Sequence, residues 1–125
     1  MNAVPSIDIP SVDGLGIQLL APSTLRLKGM ITLKEPSQEL SGFFRTLHAH
    51  VLARGLSEFF VDVTELTFVN SSSIRLFIDW AVWVQKQSNN SYVLKFRTNR
   101  QVTWQQTAFS AMKSLMKDVV SVEQV

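Results

Sequence analysis

The strongest constraint on the fold lies in one segment, Phe59–Trp83 (FFVDVTELTFVNSSSIRLFIDWAVW). Its first residues are apolar, β-branched or aromatic, which is typical of a buried strand. A tight turn is predicted next, and three consecutive serines then open an amphipathic helix. The first amide groups of a helix lack intrahelical acceptors and carry a partial positive charge. A serine at this position either caps the helix or holds a phosphate that those amides stabilise. Asn70 and Ser71 are the two candidates for the cap.

The composition is that of one globular domain. The chain has 125 residues, of which 46% are hydrophobic and 18% are charged, and this length supports a single core. A net charge of +2 does not require a nucleic-acid partner, and the lack of cysteine excludes disulfides and thiolate metal sites. The first ten residues do not resemble a secretory signal, and Ile74–Val84 is too short to span a membrane. We therefore expect a cytoplasmic protein without a membrane span.

Hydrophobic patterns predict an N-terminal arm at residues 1–13 and one domain at residues 14–125. The predicted elements are, in order, strands Leu15–Leu20 and Thr24–Ile31, a helix from Pro36 that Gly55 closes, strand Glu58–Val63, helix Ser72–Gln87, strand Tyr92–Arg97, helix Thr103–Lys117 and strand Val119–Val122. A hairpin followed by alternating helices and strands predicts an α/β fold. Its single mixed β-sheet would have about four to five strands, with helices packed on it.

Three finer expectations accompany this outline. The strand at Glu58–Val63 is nearly continuously apolar, which predicts that both of its faces are covered. Thr103 and Gln106 have the spacing of a capping box at the start of the last helix. The first helix presents one apolar face, made by Leu40, Phe43, Phe44, Leu47 and Val51.

The helix that follows the serines is apolar on two sides. The face predicted to pack on the sheet consists of Ile74, Phe77, Ile78, Ala81, Val82 and Gln85. Leu76, Trp80 and Trp83 fall on nearly the opposite side. Because exposed aromatic clusters mark interfaces, these three side chains are predicted to face a partner. The alternative is that the N-terminal arm or a neighbouring helix covers them.

Residues 61–74, VDVTELTFVNSSSI, resemble the signature of STAS domains, the family that includes bacterial anti-sigma factor antagonists. The resemblance covers roughly residues 14–123. It implies that Ser71 is the phosphoacceptor for a partner kinase that is also an anti-sigma factor, with Ser72 as the alternative acceptor. Asn70 stands where the family usually has Asp, and Ser73 stands where it usually has Gly.

The sequence and this resemblance predict a non-enzymatic regulatory module that acts by protein–protein contact, without a cofactor. Its partner would be an anti-sigma factor with serine kinase activity, or a phosphatase. The predicted docking residues are Asn70, Ser71, Ser72, Ser73, Leu76, Trp80 and Trp83. Two alternatives stay open: a scaffold or homodimer that binds constitutively without phosphorylation, and a module that binds a small anionic ligand at the same helix N-terminus.

Other functions have weaker support. No Gly-x-Ser-x-Gly elbow surrounds the serines, so no catalytic residue is predicted. His48 and His50 are two residues apart on a helix and would not share a face, which argues against a metal site. Lys95 and Arg97 are better explained as the exposed side of a strand than as nucleic-acid contacts.

Overall fold

The computed structural model describes residues 7–20, 23–35, 40–87 and 92–125. Its elements are β1 (Leu15–Leu20), β2 (Thr24–Ile31), α1 (Ser41–Ala53), β3 (Glu58–Val69), α2 (Ser71–Lys86), β4 (Val93–Thr98), α3 (Thr103–Leu115) and β5 (Val120–Gln124). The strands form one sheet in the order β1-β2-β3-β4-β5, in which β1 is antiparallel to β2 and the other neighbours are parallel. This confirms the predicted α/β fold with a single mixed sheet. None of the helices in the described residues is both long and apolar enough to cross a membrane.

The β1–β2 hairpin has the bounds predicted from its alternating pattern. Leu25, Leu27 and Ile31 are buried on one side of β2, whereas the residues between them reach the other side. Gly29 interrupts this alternation with φ of +103°, and a Cβ there would lie 2.2 Å from the carbonyl oxygen of Gly14. The close approach of β2 to the Gly14 carbonyl, just before β1, therefore requires glycine.

The first helix buries its predicted apolar face. Leu40, Phe43, Phe44, Leu47 and Val51 are all buried, and Gly55 ends the helix with φ of +64°. The amide of Leu56 then bonds back to the carbonyl of Val51 at 3.2 Å, which satisfies one of the last helical acceptors. Pro36, where this helix was predicted to begin, and residues 1–6 of the predicted arm lie outside the described residues. Val12, also in that arm, is buried in the core.

The central strand β3 is longer than predicted, because it continues through Val69 without a turn after Val63. Pairing with β4 ends at Asp62 and Arg97, whereas pairing with β2 continues to Val69 through two register irregularities. The Asp62 Oδ1 atom accepts from the backbone N–H (3.0 Å) and the hydroxyl (2.7 Å) of Thr64 at the first irregularity. Such bulges break the period of two, so the sequence pattern resembles a turn.

The second half of β3 projects beyond β4, and on that edge side chains take the place of a strand. Gln105 Nε2 donates to the carbonyl groups of Val63 (2.6 Å) and Leu66 (2.9 Å). Asn99 Nδ2 donates to the carbonyl of Thr64 at 3.3 Å, and Trp104 Nε1 donates to the carbonyl of Thr67 at 2.9 Å. Gln105 is fully buried, and its Oε1 atom accepts from the amide of Asn99 at 2.8 Å. The start of α3 thus replaces the missing ladder partner.

The capping box predicted for α3 is wrong. Val102 occupies the N-cap position and makes no side-chain capping bond. Gln106 instead donates from Nε2 to the carbonyl of Asn99 at 3.2 Å, outside the helix. The other predicted bounds of α2, α3, β4 and β5 differ from the observed ones by one or two residues, which is the usual uncertainty of element ends.

All three helices of the described residues pack on the same face of the sheet. The ring of Phe44 in α1 lies 5.0 Å from Trp80 in α2, and Trp80 lies 5.8 Å from Phe59 in β3. The ring of Phe109 in α3 lies 4.5 Å from Phe96 in β4. The prediction that both faces of β3 are covered is therefore wrong, since no described helix lies over the other face.

Candidate functional site

Asn70 joins the start of α2 to the end of β2. It has extended backbone angles (φ −72°, ψ 164°), and its Oδ1 atom accepts from the amide of Ser73 at 3.0 Å. Its Nδ2 atom donates to the carbonyl of Leu33 at 3.0 Å, and its own amide donates to the carbonyl of Ile31 at 3.0 Å. Asn70 is therefore the N-cap, and the three serines form the first turn of the helix.

The three serines differ in accessibility. Ser71 and Ser72 are exposed, whereas Ser73 is fully buried and its hydroxyl has no hydrogen-bond partner among the described residues. Since the cap satisfies the amide of Ser73, the amides of Ser71 and Ser72 are the first-turn donors that lack an intrahelical acceptor. Ser71 and Ser72 thus present hydroxyl groups beside free donors, and Ser73 presents no accessible side chain.

An open groove of about 480 Å³ lies beside these serines. It is lined by Lys34, Glu35, Ser71, Ser72, Arg75, Leu76 and Asp79. Arg75 follows Ser71 by one helical turn, which places both side chains on one side of α2. Within the described residues neither Lys34 nor Arg75 forms an ion pair. Two cations without a salt bridge therefore stand at the groove, which also contains the carboxylates of Glu35 and Asp79.

The predicted exposure of the apolar docking residues is wrong for Leu76 and Trp80. Trp80 is fully buried and Leu76 is 4% exposed. Trp80 is enclosed by Phe44 of α1 and Phe59 of β3, so the alternative of cover by a neighbouring helix is confirmed for this residue. Because α2 packs against α1 as well as against the sheet, residues on both of its apolar sides are buried.

Trp83 is half-buried and also covered from α1. The Arg45 guanidinium lies 4.3 Å from the Trp83 ring centroid, a cation–π distance, and the His48 ring lies 5.9 Å away. Trp83 therefore offers a partner only part of its indole.

Part of the face predicted to pack on the sheet is exposed instead. Ile78 is 40% exposed, and Gln85 is exposed as well. Ile78 follows Ser71 by two turns, which places an apolar side chain on the same side of α2 as the accessible serines. A helical wheel of α2 shows two apolar faces but not which of them packs on the sheet. The wheel therefore could not show that Ile78 is exposed.

A second exposed apolar pair was missed by the sequence reasoning. Met30 and Phe68 are register partners on β2 and β3, and they are 45% and 48% exposed. Phe68 lies two residues before the N-cap, so the pair stands at the sheet end from which α2 begins. The sequence pattern hides this pair because it predicts a turn, not a strand, at Phe68.

The similarities to solved structures extend over nearly the whole chain. No family model and no curated protein matches the sequence. One similar structure is that of the diguanylate cyclase SiaD in complex with its activator SiaC from Pseudomonas aeruginosa, where SiaC is the matching chain. The TM-score is 0.69 at 17% identity, over 94% of this chain and 98% of that chain.

A second similar structure is an anti-sigma factor antagonist from Mycobacterium paratuberculosis. The TM-score is 0.52 at 8% identity, over 86% of this chain and 83% of that chain. The fold is STAS-like. The resemblance of residues 61–74 to the STAS signature is thus confirmed at the level of fold.

Away from the serine turn, this STAS-like domain contains a polar network in its core. The Tyr92 hydroxyl lies 2.7 Å from Trp80 Nε1 and 2.8 Å from His48 Nδ1. Burial raises the pKa of Tyr92, while burial and then the nearby Arg45 charge lower the pKa of His48. Among the described residues no three histidine, aspartate or glutamate side chains are grouped to hold a metal ion.

Proposed function

We propose that this STAS-like domain is a non-enzymatic, cytoplasmic regulatory module that binds a protein partner at the start of α2, and that phosphorylation of Ser71 switches this binding. The observation that carries the proposal is the exposure of Ser71 beside free helix amides and two unpaired cations. The similar structures support the partner role, because one is an activator in complex with a cyclase and the other is an anti-sigma factor antagonist.

The docking surface is revised from the predicted one. Asn70, Ser71 and Ser72 form its centre, Arg75 and Ile78 extend it along α2, and the edge of Trp83 borders it. Leu76 lines the groove but offers little area, and Trp80 supports the surface from within.

A phosphate on Ser71 would find favourable electrostatics. Phosphorylation adds about −1.5 to −2 charges at neutral pH, and a helix N-terminus stabilises such an anion. Arg75 lies one turn along the helix and Lys34 lines the same groove, where the carboxylates of Glu35 and Asp79 offset part of their charge. The phosphate would occupy the docking surface without disturbing the core, so its effect would fall on the partner. Ser72 is the alternative acceptor, since it is equally exposed.

The modification is tested by incubating the purified protein with ATP and the kinase encoded nearest to its gene, or with a lysate of the source cells. Phosphopeptides are then mapped by mass spectrometry. We expect a phosphate on Ser71 that Ser71→Ala removes. Ser110, exposed on α3, provides the matched control variant Ser110→Ala, which should leave phosphorylation unchanged. Labelling that survives both Ser71→Ala and Ser72→Ala would contradict the switch.

The effect on binding is tested with the kinase used in that experiment. Ser71→Asp should weaken the complex at least tenfold, whereas Ser110→Asp should not, because it adds the same charge away from the docking surface. Equal affinity of the wild type and Ser71→Asp would favour the constitutive scaffold. Thermal stabilisation by phosphate-bearing small molecules without any protein partner would favour the anionic-ligand module.

A further inference from the structure

The face of the sheet opposite the helices carries a regular arrangement of charges. Parallel strands are normally covered on both faces, yet no described helix covers this one. The four parallel strands place eight side chains in two neighbouring rows on this face: Thr24 and Arg26 from β2, Phe60 and Asp62 from β3, Lys95 and Arg97 from β4, and Ser121 and Glu123 from β5. We refer to these eight residues as the open face. Gln18 and Leu20 of β1 lie on the same side, beside Arg26 and Thr24, and are outside this definition.

The pairing register sorts the open face into two rows that cross four strands. One row is Arg26, Asp62, Arg97 and Glu123, in which positive and negative charges alternate. The other row is Thr24, Phe60, Lys95 and Ser121. Both rows read β2, β3, β4 and β5 in order, and reversing the first row inverts its charge sequence. The second row contains one charged residue, Lys95, whose Nζ atom lies 3.0 Å from Glu58 Oε2.

Contacts within the chain hold these side chains in place but leave several of them accessible. Arg26 Nε lies 3.5 Å from Asp62 Oδ2, and Arg97 Nε lies 3.3 Å from Glu123 Oε1. The side chains of Arg26 and Glu123 are 40% and 58% exposed. The Arg97 guanidinium also lies 4.8 Å from the ring centroid of Phe60, which is half-buried on this face. The open face is thus ordered and only partly satisfied.

We propose that the open face binds the open face of a second copy of this chain, around a two-fold axis parallel to the strands between β3 and β4. This axis places β2 of one copy over β5 of the other, and β3 over β4. Arg26 then faces Glu123 of the second copy, and Arg97 lies over the Asp62 carboxylate, which is buried against Arg26 and Thr64 of its own chain. In the other row Phe60 faces Lys95, a cation–π pair, and Thr24 faces Ser121.

The charge pattern distinguishes this axis from the other face-to-face arrangement. A two-fold axis perpendicular to the strands would exchange the two rows and keep each strand opposite itself. Arg97 would then lie against Lys95 of the second copy, and Asp62 against the aromatic ring of Phe60, whose face is also negative. Like charges across an interface disfavour that pairing. Complementarity therefore selects the parallel axis.

The size of the open face determines how strong this dimer is. With strands about 4.8 Å apart, the two rows cover roughly 300 Å² per copy. A stable complex buries about 800 Å² per partner, so this association is weak. It also depends on salt, since charge interactions are screened over about 8 Å at physiological ionic strength and over about 30 Å at 0.01 M. The dimer leaves the serine groove free, because α2 lies on the opposite side of the sheet.

Charge reversal with mixing tests the geometry. In sedimentation equilibrium at about 10 mM salt the wild type should approach dimer mass as its concentration rises to about 1 mM, and it should dissociate at about 0.5 M salt. Glu123→Arg and Arg26→Glu should each stay monomeric, because each sets like charges opposite one another twice. An equimolar mixture of the two variants should restore association, since both contacts become attractive. A monomeric wild type, or a monomeric mixture of folded variants, overturns the proposal.

A second measurement avoids the risk that Arg26→Glu unfolds beside the buried Asp62. The chain has no cysteine, so the single variants Thr24→Cys and Ser121→Cys carry one thiol each. A bismaleimide with a spacer of about 10 Å, the spacing of packed sheets, should link them mainly in the mixture. In either variant alone the two thiols are displaced laterally by about 14 Å, or three strand spacings. Equal yields from the mixture and the single variants would overturn the proposed axis.

Discussion

Trp80 donates its indole N–H to the hydroxyl oxygen of Tyr92 at 2.7 Å inside the core. Because the indole is a donor only, the Tyr92 oxygen is the acceptor, and its own O–H remains available for His48 Nδ1 at 2.8 Å. The Tyr92 hydroxyl donates to an unprotonated Nδ1 or accepts from a protonated one, so the His48 tautomer sets the direction of this second bond. One hydrogen-bonded chain therefore joins α2, β4 and α1.

Replacing Trp80 should cost far more stability than replacing Trp83. We expect Trp80→Ala to lower the free energy of unfolding by about 3–5 kcal/mol, the range for large aromatic truncations in a core. Trp83→Ala should cost less than half as much, because that indole is half-buried. Urea unfolding followed by far-UV circular dichroism measures both. Equal costs would show that the two indoles are similarly packed.

Tyr92→Phe should destabilise the domain although the ring is retained. The substitution leaves the Trp80 indole N–H buried without an acceptor, which costs about 1–3 kcal/mol. The same change in a Trp80→Phe background should cost measurably less, because the unpaired donor is then absent. This double-mutant cycle isolates the bond. Identical costs in the two backgrounds would argue that the bond contributes nothing.

Stability should fall as the solution is acidified through the titration of His48. Burial and the Arg45 charge lower its pKa below the ordinary histidine value of 6.5, so the unfolded chain binds a proton before the folded one does. The contribution is complete above about pH 6.5 and is lost between that value and the lower folded pKa. Burial lowers the pKa of His50 in the same direction, so the measurement is made in a His50→Gln background.

For this pH prediction the melting temperature is compared between about pH 7.5 and pH 5.5. Adding His48→Gln should flatten the dependence, because the titrating group is removed. An NMR titration of the His48 ring gives the folded pKa directly. A value at or above about 6.5 would contradict the neutral, buried imidazole.

Gly29→Ala should be strongly destabilising and Gly42→Ala should not. The new Cβ at position 29 would lie 2.2 Å from the Gly14 carbonyl oxygen, at a backbone angle that side chains disfavour. Strain and overpacking together predict a loss of about 2–4 kcal/mol. Gly42 lies in α1, and a Cβ added there would meet nothing within 4 Å, so alanine should be neutral or add up to about 1 kcal/mol. Thermal unfolding of the matched pair tests this.

Asn70→Ala should remove both the cap and the link to the end of β2, at a cost of about 1–2 kcal/mol. Asn70→Asp keeps the acceptor for Ser73 but cannot donate to Leu33, so its stability should fall between alanine and the wild type. Ser71→Ala, which removes only an exposed hydroxyl, should change stability by less than about 0.5 kcal/mol. A large loss for Ser71→Ala would assign that serine a structural role.

The sequence predicted the parts of the fold that depend on local patterns. The hairpin followed from strict alternation around a short turn, and the end of α1 followed from Gly55. The Asn70 cap was anticipated as one of two options, since both Asn and Ser favour that position. These features depend on few neighbours, so the residues themselves determine them.

Long-range packing determined what the sequence could not predict. The extension of β3 to Val69 depends on pairing with β2 and on Gln105, which lies far away in the chain. Two apolar faces on α2 could not be ranked without knowing that α1 encloses Trp80. The exposed side of the helix, which contributes Ile78 to the docking surface, was therefore misassigned.

The bonds from Gln105 to the projecting end of β3 have a consequence for recognition. They fix the segment that leads to the serine turn before any partner arrives, so association need not order it. Immobilising a flexible side chain at an interface costs about 0.5–1.5 kcal/mol of binding free energy. A preorganised turn avoids this cost for several of its side chains. A peptide that copies the serine helix without α3 would lack this preorganisation and bind more weakly than the intact domain.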